Sequence, residues 1–562
     1  MDPIEYRNPS NFQGVGSAGR RDLAGLARSG GGRRWAALPA ERGEREGGEI
    51  KSASEGWGAV RSGCGGEIWP GRKDGGREQS EGGTGLEAEA KAYLTSLIER
   101  SLVMIASESH LGRIHGGKIK TCRIHDLLRQ FCLRKAKEDN FLVKIYENDS
   151  FSREESSSSA HKYRRLFIGS QFFERFITTF PCPSNLRSFL CVNLQNSSRR
   201  SFEQSLSFFV ENFELLRVLS LVSITYRGHM GSDSIGHLVH LRYLSLKIVS
   251  PDSSMNVIPF SYLLDLETLN IQFSKYTYFY LPKDMVKMVK LRHLYSKNGI
   301  FCWYPFVPLT NNCSLKLDSL QTLHRMQGSE ISQKFLVRTP NLKKLGVFGI
   351  IISRDGILLG PDLSCLECLE TLSFTEYVFG DEHLASTPSA GLKLPPTVKQ
   401  LTLKETFLEW EQLSLLLTAL PNLEILKILK KAFKGSVWDT SEVEWFSKIK
   451  YLRLEHLDVE EWIADEDQYP RLEVLALRHC RKLKKIPNDQ FGQLYELREI
   501  EVTSCACSVE VLAKKIEDDQ RQIRAERCPK VLVKSNCLTR SHFDGNGVYI
   551  PPDTPCESRW IW

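Results

Sequence analysis

LRVLSL at 216–221, LRYLSL at 241–246 and LETLNI at 266–271 carry one pattern, with leucine or isoleucine at the first, fourth and sixth places and 25 residues between copies. It continues as LRHLYS (291), LQTLHR (320), LKKLGV (342), LETLSF (369), VKQLTL (398), LEILKI (423), IKYLRL (449), LEVLAL (472) and LREIEV (497), at intervals of 22 to 29 residues. Two weaker copies, YRRLFI (163) and LRSFLC (186), precede the array. One coil of this length cannot bury three large apolar side chains alone. Stacked on the same places of the next coil, they make a continuous core, so the chain must be built as a stack.

A leucine pattern with a period of about 20–29 residues is the signature of a leucine-rich-repeat solenoid. The fold class read from it is α/β, a curved parallel sheet with one strand per coil. The segments IGHLVHL (235–241), LPKDMVKMVKL (281–291) and IPNDQFGQLYEL (486–497) supply the convex side, with Ile258-Pro259, Leu281-Pro282 and Ile486-Pro487 starting the returns. Side chains alternate along a strand, so the third, fifth and seventh places face the concave side. Those places hold Lys404, Lys427, Arg453 and Arg478 in four successive units, at places seven, five, five and seven. With strands about 4.8 Å apart they are expected to form a basic stripe suited to an acidic protein partner. Ordinary solvation of the sheet face is the competing reading. Trp410, Trp438, Trp445, Trp462 and the clusters YTYFY (276–280) and WYPF (303–306) are expected mostly to pack the convex side and the inter-repeat loops. The acidic run DVEEWIADEDQ (458–468) reads as a solvated loop.

Residues 1–86 hold about half of the 40 glycines, interleaved with Arg and Glu, and lack apolar periodicity. Burial there cannot offset ordering entropy, so disorder is expected. Glycine–arginine richness can signal RNA binding, but the glutamates nearly balance the basic residues and argue against a nucleic-acid partner. From residue 87 the order is helix (LEAEAKAYLTSLIERS), strand (LVMI, 102–105), a loop bearing Gly112, Gly116 and Gly117, strand (IKTCRI, 119–124) and helix (HDLLRQFCLRKAKEDNFL). Asp126 sits where an N-cap belongs. This is the order of the C-terminal part of a winged-helix domain. The domains read are 1–86 disordered, 87–145 partial winged helix, 146–160 linker, 161–530 repeats and 531–562 tail.

A net charge of +7 is small for 562 residues and gives no footprint for nucleic acid. No run of about 20 apolar residues spans a membrane, and MDPIEYRNPSNFQG is no secretory signal. Fifteen scattered cysteines without an export signal point to a reducing compartment, where the sequons at Asn148, Asn196 and Asn312 carry no meaning. No GxxxxGK[ST], GxSxG or HExxH occurs, and GVGSAG (14–19) has neither strand before it nor apolar helix after it. Cys365 and Cys368 form a lone CxxC without a second pair, and read as small residues in leucine-like slots rather than a zinc site. No enzyme chemistry and no resident cofactor or metal is expected.

TSLIERSLVMI, then KIKTCRIHDLLRQFCLRKAKEDNFL, then repeats such as LRYLSL, resemble plant intracellular nucleotide-binding leucine-rich-repeat receptors of the coiled-coil class, within it the late-blight-resistance-like proteins. SVEVLAKKIEDDQRQI (508–523) is similar to the end of that subgroup, and the resemblance covers roughly 88–530. In that family a Met-His-Asp motif marks the winged helix, and Ile124-His125-Asp126 stands in its place. The resemblance implies that His125 faces the β-phosphate of bound ADP and that Asp126 supports it. A helix cap beside a surface histidine is the plain alternative. The family's coiled coil, phosphate loop and magnesium-binding strand have no counterpart here, so ADP or ATP would act only with a nucleotide-binding domain supplied elsewhere. The expectation is an N-terminally truncated plant defence protein. Its repeats would bind a pathogen effector, a host guardee or a partner receptor. The expected place is the cytoplasm, with the membrane periphery and the nucleus as alternatives. A nucleotide-dependent switch in a longer form and a ubiquitin-ligase adaptor are the rival readings.

Overall fold

The computed structural model describes residues 84–108, 119–145 and, with short gaps, 163–534; the longest gaps are 303–315 and 376–391. The disorder expected of 1–86 falls, up to residue 83, outside the described residues. So do the glycine loop 109–118, the linker 146–160, the tail from 535, Trp303 and Trp445.

A helix spans Thr84–Glu99. The strands Val103–Glu108 and Ile119–Ile124 pair antiparallel, and the helix Asp126–Glu138 follows. That helix is shorter than the sequence suggested. Asn140 takes a left-handed φ of 50°, its N–H bonds to the Lys137 carbonyl, and the Phe141 N–H reaches back to Ala136 at 2.8 Å. These two bonds make a Schellman ending, with asparagine in the place glycine usually takes. Phe141 and Leu142 therefore leave the helix, and Leu142–Ile145 pairs in parallel with Arg165–Gly169. The sheet begins there, ahead of the boundary read at 161.

From that strand onward the coils stack as the leucine pattern requires. Strands Gln400–Lys404, Ile425–Leu429, Tyr451–Glu455, Val474–Arg478 and Glu499–Thr503 are parallel and in register, and belong to a sheet with 20 strands among the described residues. Leu401, Leu403, Leu426, Ile428, Leu452, Leu454, Leu475 and Leu477 are wholly buried between neighbouring coils. The weak copies at 163 and 186 are true coils, with strands Arg165–Gly169 and Ser188–Val192 in parallel. Return segments form short helical turns at Ile235–His237, Phe260–Tyr262, Lys283–Lys287 and Asn488–Phe491. The helix Cys507–Arg524 and the strand Lys530–Lys534 cover the last coil. There buried Gln520 donates to the carbonyls of Phe491 and Leu494 at 3.0 Å.

Two repeats depart from the motif at the sixth place: LRHLYS puts the small, buried Ser296 there, and the next coil departs further. In LQTLHRM the sixth place is Arg325, a residue that should not point inward. Arg325 takes a left-handed φ of 63° and leaves the inward slot, half-buried over the Phe348 ring, and Met326, fully buried, fills that slot against Val347. The bulge rests on the next coil at Gly346, where an added Cβ would lie 2.8 Å from the Arg325 backbone nitrogen. Gly346→Ala is expected to cost about 1–3 kcal/mol because backbone must move to admit the methyl. Gly328→Ala, which meets the end of the Val347 side chain, is the control. Equal denaturation midpoints for the two variants would overturn this account.

The second motif place forms a row of its own. From Lys343 through Glu370, Lys399, Glu424, Lys450, Glu473 to Arg498, each residue donates its N–H to the carbonyl of the one before, at 2.8–2.9 Å. Their charges alternate along the stack, and Lys450–Glu424 and Arg498–Glu473 close as ion pairs at 3.4 Å.

A row of aromatic side chains in the later coils packs inward, away from the sheet face. Trp410 stacks on Phe433 at 4.5 Å and on Trp438 at 4.8 Å, and Trp438 stacks on its register partner Trp462 at 4.9 Å. Phe491 and Tyr469 close the row edge-on against Trp462.

Candidate functional site

The four basic residues singled out above all lie on the open face of the sheet, half-buried, as their alternation requires. Register divides them. Lys427 and Arg453 are direct partners in the fifth-place row, which runs Thr402, Lys427, Arg453, Ala476, Glu501. Lys404 and Arg478 belong to the seventh-place row, opposite Leu429 and Glu455.

The expected basic stripe is also compensated, which corrects the reading of it as uniformly positive. Arg453 pairs with Glu455, two residues along its own strand. Arg478 pairs with Glu501 of the next coil at 2.6 Å, and Lys404 with Glu405 at 3.6 Å. Burial pulls the Lys404 ammonium below its usual pKa despite the neighbouring Glu405. Lys427 lies over the Tyr451 ring, 5.9 Å from its centre. The face is thus a mosaic of paired charges with a small-residue stretch, Gly346, Ser373 and Thr402, beside it.

Just beyond the strands the balance changes. The eighth place of successive coils holds Glu405, Lys430, His456, His479 and Ser504, all with left-handed φ between 46° and 54°. This common turn aligns their side chains along the rim. The rings of His456 and His479 stack at 4.4 Å, 13° from parallel. Lys430, Lys431 and Arg481 stand around them exposed, and among the described residues none of the three takes part in an ion pair. Sequence reading missed this rim because it stopped at place seven; the fixed offset from the leucines was the available signal.

The basic run that follows is neutralised instead. Lys482, Lys484 and Lys485 pair with Asp458, Glu460 and Glu461 of the preceding coil, at 2.7–2.9 Å. The acidic stretch read as a solvated loop is therefore a structured flank, and Glu461–Ile463 is a strand paired with Val437–Asp439. Its signal was legible: DVEE and KLKK match charge for charge one coil apart.

Two further expectations change. Cys365 and Cys368 are exposed, and the leucine slots beside them belong to buried Leu366 and Leu369. Among the described residues no three metal-ligating side chains cluster. His125, not Asp126, caps the helix Asp126–Glu138: its Nδ1 accepts the Leu127 N–H at 3.3 Å. Asp126 is the first helical residue, and both side chains are exposed. With Nδ1 engaged in the cap, the role at a nucleotide phosphate that the resemblance implies for His125 would fall to Nε2.

The sequence matches the family described as "Leucine-rich repeat region" over residues 186–522. It is 31% identical over 459 residues to the putative late blight resistance protein homolog R1B-16 of Solanum demissum, covering 79% of this chain and 32% of that protein. It is likewise 31% identical over 461 residues to the late blight resistance protein R1-A of the same species, covering 79% and 33%. The chain thus spans about a third of the length of these relatives. Among solved structures, the functional domain of InlJ from Listeria monocytogenes aligns at TM-score 0.30 and 14% identity, over 57% of this chain and 68% of that one. The plant peptide hormone receptor RGFR1 in complex with RGF2 aligns at TM-score 0.29 and 14% identity, over 67% and 68%. At those scores the structural alignments carry no argument. No helix among the described residues is long and apolar enough to cross a membrane. The motif, the stacked parallel strands it builds and the match over 186–522 agree, and the chain belongs to the leucine-rich-repeat region family.

Proposed function

We propose that this chain is the recognition solenoid of a plant disease-resistance protein, acting by binding a protein partner rather than by catalysis, and working in the cytoplasm. The observation that carries the reading is the division of labour within each strand. Inward places make the core, while places three, five and seven vary freely across consecutive coils and present Lys404, Lys427, Arg453 and Arg478 among their carboxylate partners. The resistance proteins among its relatives supply the biological context. A pathogen effector, a host guardee or a partner receptor domain would meet a face of paired charges. Such a face selects by complementarity of pattern more than by net charge.

The test is capture from plant tissue by the full chain, compared with a variant carrying Thr402→Glu and Lys427→Glu. These two residues are register partners whose replacement breaks none of the ion pairs described above. A partner retained by the native chain and lost by the folded variant is the expected result. Equal recovery by both, or no specific partner for either, would sink the reading.

A further inference from the structure

Paired charge on the sheet face contrasts with the rim, where, among the described residues, basic side chains outside any ion pair stand in three consecutive coils. Lys430 and Lys431 come from the first, His456 from the second, and His479 with Arg481 from the third. Coils about 4.8 Å apart set these groups across roughly 10 Å, a span that four or five residues of extended chain can follow. We propose that this rim is a docking site for a carboxylate-rich segment of a protein partner, and that the stacked imidazoles make docking tighten as the pH falls. The proposal rests on the reading of the chain as a recognition solenoid and names the chemistry of one part of its surface.

The charges facing the imidazole pair decide the sign. Lys430 lies in the coil before and Arg481 just after His479, both repelling an imidazolium. Glu455, beside His456, favours one but is held by Arg453. Arg478 adjoins His479 and is engaged with Glu501; Asp458 is engaged with Lys482; and the coil after contributes neutral Ser504. Loss of solvent around the ring first, and then His479 and the cations, hold His456 below the usual histidine range against the pull of Glu455. A bound carboxylate replaces that repulsion with attraction, so binding takes up protons and affinity rises with acidification. By linkage one proton taken up gives at most about a tenfold change per pH unit. Without ligand the sign for the fold is opposite: the native state binds fewer protons than the unfolded chain, and stability falls as pH drops through about 6.5.

The experiment uses the full chain and a fluorescein-labelled octa-aspartate, with octa-asparagine as the neutral control, read by anisotropy at pH 7.5 and 5.5. Aspartate stays ionised at both values. Thermal melts at each pH keep loss of fold separate from loss of binding. Lys430→Ala with Lys431→Ala should weaken binding about tenfold, a loss that shrinks in high salt. The ion-paired Lys484→Ala with Lys485→Ala should change it less than about twofold. In the native chain affinity should rise several-fold from pH 7.5 to 5.5, and His456→Gln with His479→Gln should flatten that rise while leaving binding at pH 7.5 in place. Equal losses for both lysine pairs, a pH rise that survives without the histidines, or tighter binding of an oligo-uridylate of equal charge would overturn the proposal. Partner capture in plant tissue that persists after the rim lysines are removed would sink the rim alone. Failure of the native chain to capture any partner would sink the wider reading, whatever octa-aspartate does.

Discussion

Replacing Trp438 with alanine should cost the solenoid about 3–5 kcal/mol, the range for truncating a fully buried large aromatic. Trp438 is 2% exposed and sits mid-row, against Trp410 on one side and Trp462 on the other. Its removal therefore opens a void and strips two stacked rings of a partner at once. Each coil touches chiefly its neighbours, so the damage should stay local. Hydrogen exchange should speed in the strands Ile425–Leu429, Tyr451–Glu455 and Val474–Arg478, and leave Tyr243–Val249 and Thr268–Phe273 protected. Trp438→Phe should recover most of the loss. Uniformly faster exchange along the whole stack would mean the array behaves as one cooperative unit, contrary to this picture. The burial agrees with the packing role expected of Trp438 from the sequence.

Leu426→Ala should cost about 2–5 kcal/mol, while Lys427→Ala, one residue along, should cost no more than about 1 kcal/mol. Leu426 is completely buried, between Leu401 and Leu452 of the adjacent coils. Lys427 faces the other way, and its ammonium lies over the Tyr451 ring. Because side chains alternate strictly along a strand, the two substitutions test its register. Similar shifts in the denaturation midpoint for the two would mean the inward and outward sets are exchanged.

The repeat was legible because its constraint is repetitive: every coil must offer apolar groups at the same places or the stack has a hole. What escaped the sequence depended on relations between coils. A basic residue reads the same whether or not a carboxylate stands beside it, so Arg453 and Arg478 looked free until Glu455 and Glu501 were placed. Lys404 looked aligned with Lys427, but two residues of offset put it in another row. The strand Leu142–Ile145 carries no leucine motif and is recruited by its neighbour. Arg325 shows the converse, since the pattern predicted an inward arginine and the backbone spent one residue on a bulge to avoid it. At the helix Asp126–Glu138 the cap was assigned one residue late because aspartate is the commoner capping residue and histidine took the place.

The alternating row at the second motif place bears on how such a gene can change length. Between Lys343 and Arg498 every coil is flanked by coils of opposite sign. Loss of the coil holding Glu424 would set Lys399 directly against Lys450, and like charges facing each other across adjacent strands cost about 0.2–1 kcal/mol. Loss of two neighbouring coils, those of Glu424 and Lys450, would instead bring Lys399 to Glu473 and restore attraction at the seam. The same arithmetic holds for duplication. Unequal exchange within this stretch is therefore filtered by parity: descendants that gain or lose repeats in twos keep their electrostatics intact, and those that change by one inherit a frustrated joint.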